Sequence, residues 1–158
     1  MYLPAIMAFV HHLAAFTLVG ALAVEVAMFK PPLTSVQARR IQRTDRVFGI
    51  AATVLLVVGL LRAIYFEKGA GYYFANAFFL TKLTAFVAAS VISIYPTVLF
   101  LSWSKALREG GTPEMSAAQI RRARMCLMLE LTAIVVILFC APLMARGIGY
   151  FGGRSAPG

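Results

Sequence analysis

The chain has 158 residues, 61% of them hydrophobic and only 13% charged, and its net charge is +9. A mean hydropathy of +0.82 lies far outside the range of a water-soluble domain, so a soluble globular fold is excluded. In a soluble chain such a charge would point to nucleic acid; here the cations sort by loop and report membrane topology instead, so no nucleic-acid partner is expected.

Four apolar stretches, at about residues 4–29, 47–66, 77–101 and 125–145, each match the ~20 residues a helix needs to cross ~30 Å of hydrocarbon. They predict an all-α, polytopic membrane protein, a single transmembrane domain over residues 1–158 built as a four-transmembrane-helix bundle. No Lys or Arg precedes the first stretch, which exceeds a signal-peptide core, so it is expected to be retained as a span. Pro31 and Pro32 stop it, since proline cannot continue the hydrogen-bond ladder. The polar segment 34–45 that follows predicts a short amphipathic helix on the cytoplasmic surface.

The first loop carries Lys30, Arg39, Arg40, Arg43 and Arg46, and the third carries Lys105, Arg108, Arg121, Arg122 and Arg124. The second loop has only Lys68 and the C-terminal tail only Arg146 and Arg154. The positive-inside rule therefore places loops one and three in the cytoplasm and both termini outside, with anionic lipid head groups as partners of the basic loops. The second loop joins Gly69 and Gly71 to Tyr65, Phe66, Tyr72, Tyr73 and Phe74, an aromatic belt able to cap the bundle. Pro96 predicts a kink in the third span, and Trp103 is expected at the inner membrane interface. Cys126 and Cys140 are fourteen positions apart, about 21 Å along one helix, so they cannot bridge within the chain and read as packing residues.

The ionisable residues inside the apolar stretches are His11, His12, Glu25, Lys82 and Glu130. A polar group facing hydrocarbon costs several kcal/mol unless it pairs, coordinates or lines a cavity, so function is sought there. His11, Leu18 and Glu25 recur every seven residues and share one face of the first helix. Lys82 shares a stripe with Ala85, Ala89 and Ser93, small residues that allow close helix approach, and this stripe should point inward. His11, His12, Lys82 and Arg62 then form an outer polar layer. Glu25 and Glu130 form an inner one near the cytoplasmic edge, where they read as interface charges neutralised by Arg124 or Arg46.

A buried neutral imidazole in a helical bundle is a good ligand for haem iron. His11 and His12 diverge by ~100° around the helix and cannot both ligate one iron, so a single haem would use one of them with a ligand from another helix, such as Lys82. Arg62 would pair with a propionate.

The spacing of His11 and Gly20 in the first helix, with Lys82 near the start of the third, resembles HemJ-type and CopD-like membrane proteins. The run Gly59, Arg62, Lys68, Gly69, Tyr72, Tyr73, Asn76, Phe79, Lys82, Ser93, Pro96 and Thr97 is part of a similarity, extending over nearly the whole chain, to a bacterial family of predicted four-helix membrane proteins of unknown function, and this resemblance implies the bacterial inner (plasma) membrane as the location. The HemJ resemblance implies haem b, with His11 as the metal ligand, Lys82 as the functional, catalytic partner, and an oxidoreductase that transfers electrons or oxidises a porphyrinogen. This chain departs from that pattern in having Leu18 where a tryptophan is expected, and in adding His12 and Glu25. Two other function classes stay open. One is a non-catalytic accessory subunit in a homo-oligomer or larger membrane complex. The other is a small proton or solute transport bundle using Lys82, Glu25 and Glu130 as a relay and Pro96 as a hinge.

Overall fold

The structure, a computed structural model, describes residues 2–152. Four long helices dominate it: α1 (Leu3–Met28), α2 (Ser35–Leu61), α4 (Ala77–Ser102) and α6 (Ala117–Ala145). Each is long and apolar enough to cross a membrane. One turn of π-helix, Arg62–Phe66, prolongs α2, and two short helices, α3 (Ala70–Phe74) and α5 (Ser104–Arg108), lie in the connections. The chain packs α1 along α2 and α4 along α6, and the two hairpins meet through α1 against α6 and α2 against α4. One end of the bundle carries the basic connections and the other carries the tyrosine-rich loop; they are called here the basic end and the aromatic end.

Two helices begin earlier than hydropathy suggests. Thr34 and Gln37 form a reciprocal capping box, as do Ser116 and Gln119, and each box satisfies orphan backbone donors at a helix start. The amphipathic helix expected over 34–45 is therefore not separate but is the first part of α2, and α6 starts at Ala117 rather than near 125. The polar start of α2 is tied to the bundle. Gln42 donates to the Phe100 carbonyl at 2.6 Å, and Arg39 donates to the Leu107 carbonyl. Side chains thus satisfy the carbonyls at the end of α4 and in α5, where the regular ladder breaks.

The main core lies toward the basic end and includes Leu18, Leu22, Ile41, Phe48, Phe100, Trp103 and Leu127. Phe100 is fully enclosed, its ring 5.7 Å from Phe29 and 4.9 Å from Trp103. Trp103 is consequently a buried core residue, not the interface marker expected from its position, because the chain turns into α5 there and seats the indole against Phe100. Large apolar side chains such as Phe16, Val91 and Phe139 point outward and are well exposed, as a lipid-facing surface requires. Cys126 and Cys140 are both free thiols.

At the aromatic end the C-terminal turn docks on the start of α4. Asn76 is fully buried: its carbonyl oxygen accepts from the amides of Phe78 and Phe79, and its amide donates to the Ile148 carbonyl at 3.1 Å. Gly149 has a positive φ of 79° and lies so close to Phe78 that a Cβ would sit 2.7 Å from the ring, so only glycine allows this approach. Tyr72 stacks on Tyr150, centroids 4.9 Å apart, closing the loop over the bundle. Asn76→Ala removes the α4 cap and the tie to Ile148 together; it is expected to destabilise the protein by about 2 kcal/mol in thermal unfolding in detergent.

Candidate functional site

Between the small aromatic-end cluster of Ala63, Tyr73 and Phe79 and the main core lies a cavity of about 410 Å³. That volume is in the range of small-molecule and cofactor sites. All four spanning helices line it. Leu55, Leu60, Leu83, Phe86, Ile137 and Met144 give it apolar walls, and the ionisable side chains are His11, His12, Arg62, Glu67, Tyr73 and Lys82. The four residues assigned to an outer polar layer from the sequence thus meet in one space, and His11, Lys82 and Arg62 are close enough for their charges to interact.

Each side chain reaches the cavity for a local reason. The seven-residue spacing of His11, Leu18 and Glu25 puts them on the inner face of α1, with Leu18 and Glu25 buried and His11 half-buried. Gly59 on α2 makes room for the His11 ring, since a Cβ there would lie 3.2 Å from its Cε1. The His11 Nδ1 is sealed from solvent and has no hydrogen-bond partner. His12 is turned outward yet still borders the cavity. Its Nδ1 lies 2.6 Å from the Ala8 carbonyl, and a carbonyl only accepts, so Nδ1 carries a proton and Nε2 is left free for another partner.

Lys82 projects from the half-buried stripe of α4 that also holds Ala85, Ala89 and Ser93. Among the described residues it has neither an ion pair nor a hydrogen bond, which makes it the cation of the cavity without a protein partner. Arg62 begins the π-turn, where one extra residue in the helical repeat re-aims the side chains that follow; such turns recur at functional sites. Its guanidinium pairs with the Glu67 carboxylate. Arg62 is therefore engaged, and joining a propionate or lipid phosphate would require it to exchange partners. Tyr73, missed in the sequence reading, borders the same space; burial, and then the nearby Glu67 carboxylate, push its hydroxyl above the ordinary tyrosine value, so it remains a neutral donor. Gly59 and Tyr73 left only a faint signal in the sequence: a glycine inside an apolar run and one tyrosine in an aromatic cluster.

The acidic residues lie elsewhere and differ from expectation. Glu25 and Glu130 are 2% and 1% exposed, packed inside the bundle rather than left as exposed interface charges. Neither Arg124 nor Arg46 pairs with them among the described residues, because both arginines lie on exposed faces of their helices. Asp45, expected in a surface helix, is buried with them because that segment is part of α2. Among the described residues no three His, Cys, Asp or Glu side chains converge closely enough to hold a metal ion by themselves.

A family model described as "Predicted membrane protein (DUF2214)" matches residues 3–149. No curated protein and no solved structure matches the chain, so the resemblance to HemJ-type and CopD-like proteins rests on His11, Gly20 and Lys82 alone. The Arg62–Glu67 pair is partly solvent-exposed, which limits its worth. Glu67→Gln is expected to change stability by less than about 1 kcal/mol in detergent unfolding.

Proposed function

The chain belongs to the DUF2214 family of predicted membrane proteins, and we propose that the aromatic-end cavity of this integral membrane protein binds haem b, an apolar macrocycle bearing carboxylates. The observation that carries this reading is the His11 imidazole and the Lys82 amine, neither with a hydrogen-bond partner among the described residues, lining one apolar cavity. An unsatisfied ring nitrogen at membrane depth is costly, and coordination or hydrogen bonding by a ligand relieves that cost.

The donor set fits the group. His11 would hold the haem iron through Nε2, the ring nitrogen that is not sealed, with Gly59 leaving the space its ring occupies. His12, fixed by the Ala8 carbonyl, offers Nε2 to a substituent at the cavity mouth. Lys82 supplies positive charge for a carboxylate and is the group placed to hold or pass a proton near a bound substrate. Leu55, Leu60, Leu83, Phe86 and Met144 exclude water from the flat faces of a ligand. Haem b, when bound, supplies a one-electron redox centre whose potential depends on ligation and burial. The activity this implies is that of a membrane oxidoreductase, transferring electrons or oxidising a porphyrinogen-like substrate.

The test is the absorption spectrum of detergent-purified protein, oxidised and dithionite-reduced, followed by titration with hemin. The reading predicts a Soret band that shifts on reduction and saturable one-to-one uptake. His11→Ala is expected to weaken uptake by at least about tenfold, while His12→Ala keeps the pigment. Lys82→Met is expected to retain the band but lose affinity for the carboxylate-bearing macrocycle. An unpigmented wild type that takes up hemin no better than His11→Ala would overturn the proposal.

A further inference from the structure

Toward the basic end the bundle holds a second polar layer, to which each spanning helix gives one side chain: Glu25 from α1, Asp45 from α2, Thr97 from α4 and Glu130 from α6. The three acids are buried and lie close enough for their charges to interact. Thr97 donates its hydroxyl to the Asp45 Oδ1 at 2.7 Å, which satisfies one oxygen of the set. The Oε1 atoms of Glu25 and Glu130 are sealed from solvent and have no hydrogen-bond partner. Pro96, in the residue before Thr97, lacks an N–H and frees the carbonyl of Ile92 four positions back from the ladder of α4.

The cations nearby do not close this account. Arg46 follows Asp45 on α2 but is exposed, and Cys126 stands one turn before Glu130 on α6. Lys30 and Arg124 border a separate cleft of about 270 Å³ between the end of α1 and the start of α6, together with Val26, Phe29, Leu127 and Met128. Val26 adjoins Glu25 in sequence, and Leu127 lies one turn before Glu130. The cleft thus lies one residue from Glu25 along α1 and one turn from Glu130 along α6, and neither of the two carboxyls lines it. Neither cation forms an ion pair with them among the described residues. Three carboxylates in an apolar interior without a bound countercharge are strongly unfavourable, since each loses its hydration with no ion in return. The acids do not converge as a metal shell does. Hydrogen ions, which need only one oxygen each, meet the charge requirement with the side chains where they stand.

We infer that this layer is a proton-binding site, in which Glu25 and Glu130 take up hydrogen ions that reach them from water in the Lys30–Arg124 cleft. Each event adds one proton to one carboxylate oxygen and returns it to water on release, with no other reactant. Leu18, Leu22 and Ile134 of the core lie on the same helices between this layer and the aromatic-end cavity. The site accordingly exchanges with the basic side and is distinct from the Lys82 cavity, a division that replaces a single relay through Lys82, Glu25 and Glu130.

Infrared spectroscopy of the detergent-purified full chain, titrated with acid and base and with sodium exchanged for choline, tests this directly. The inference predicts a neutral-carboxyl C=O stretch at neutral pH that is lost at high pH and does not respond to sodium. Glu25→Gln and Glu130→Gln should each remove part of it. The remaining acids, Glu67, Glu109 and Glu114, are exposed, so the variants assign the band to the layer. Absence of that band from the wild type at neutral pH overturns the inference, and the wild-type spectrum decides this even if a variant fails to fold. Carboxylate bands that shift when sodium replaces choline overturn it in favour of an alkali-ion site, and a band undiminished in both Gln variants overturns it as well. No haem is needed for the measurement, so its outcome is separate from that of hemin titration.

Discussion

Hydrocarbon offers no hydrogen-bond partner, and this one constraint organises the molecule. Every ionisable side chain on a spanning helix must find a partner, a cavity or a route to the edge. The helices meet the demand by turning these residues to shared interior faces while Phe16, Val91 and Phe139 face outward. Because α1 and α2 form one hairpin and α4 and α6 the other, a polar group at a given depth on one hairpin meets its counterparts on the other. The result is two polar layers with apolar packing between them.

The two layers differ in kind. At the aromatic end the ionisable groups border a cavity with room for a ligand, and the π-turn at Arg62 and the space beside Gly59 open it. At the basic end the acids are packed without such a space, and their relation is to one another and to the Thr97 hydroxyl. Among the described residues, one layer holds a cation without a protein partner and the other holds acids without a paired cation. Asn76 and Gly149 hold the aromatic end closed, as Gln42 and Arg39 hold the basic end.

Much of this was legible in the sequence. The four spans follow from hydropathy and length alone, and the inward faces of α1 and α4 follow from helical spacing, because His11, Leu18 and Glu25 cannot share a face without sharing a burial environment. The meeting of His11, His12, Arg62 and Lys82 followed from depth and orientation together. What hydropathy missed was the polar helix that continues beyond the apolar run: a capping box at Thr34 fixes where α2 starts, and apolarity does not, so Asp45 was assigned to a surface segment. The burial of Glu25, Glu130 and Trp103 was missed for a related reason. Distance from a span's end predicts an interface residue only when nothing packs over that end, and here the start of α2 and the α5 turn cover it. Family membership extends over residues 3–149 and carries no chemistry, so the cavity itself is the source of the functional reading.

The central claim is that Lys82 faces an interior space that water reaches, whereas Thr84, two positions further along α4, lies on the outward, exposed face. Cysteine accessibility in membranes, with Cys126 and Cys140 replaced by serine, tests it most directly, because the thiolate that reacts with a water-soluble maleimide forms only where water reaches. The account predicts ready labelling of Lys82→Cys and little labelling of Thr84→Cys, which lies at nearly the same depth on the exposed face of the helix. Equal labelling at the two positions, or labelling of Thr84→Cys alone, would contradict it.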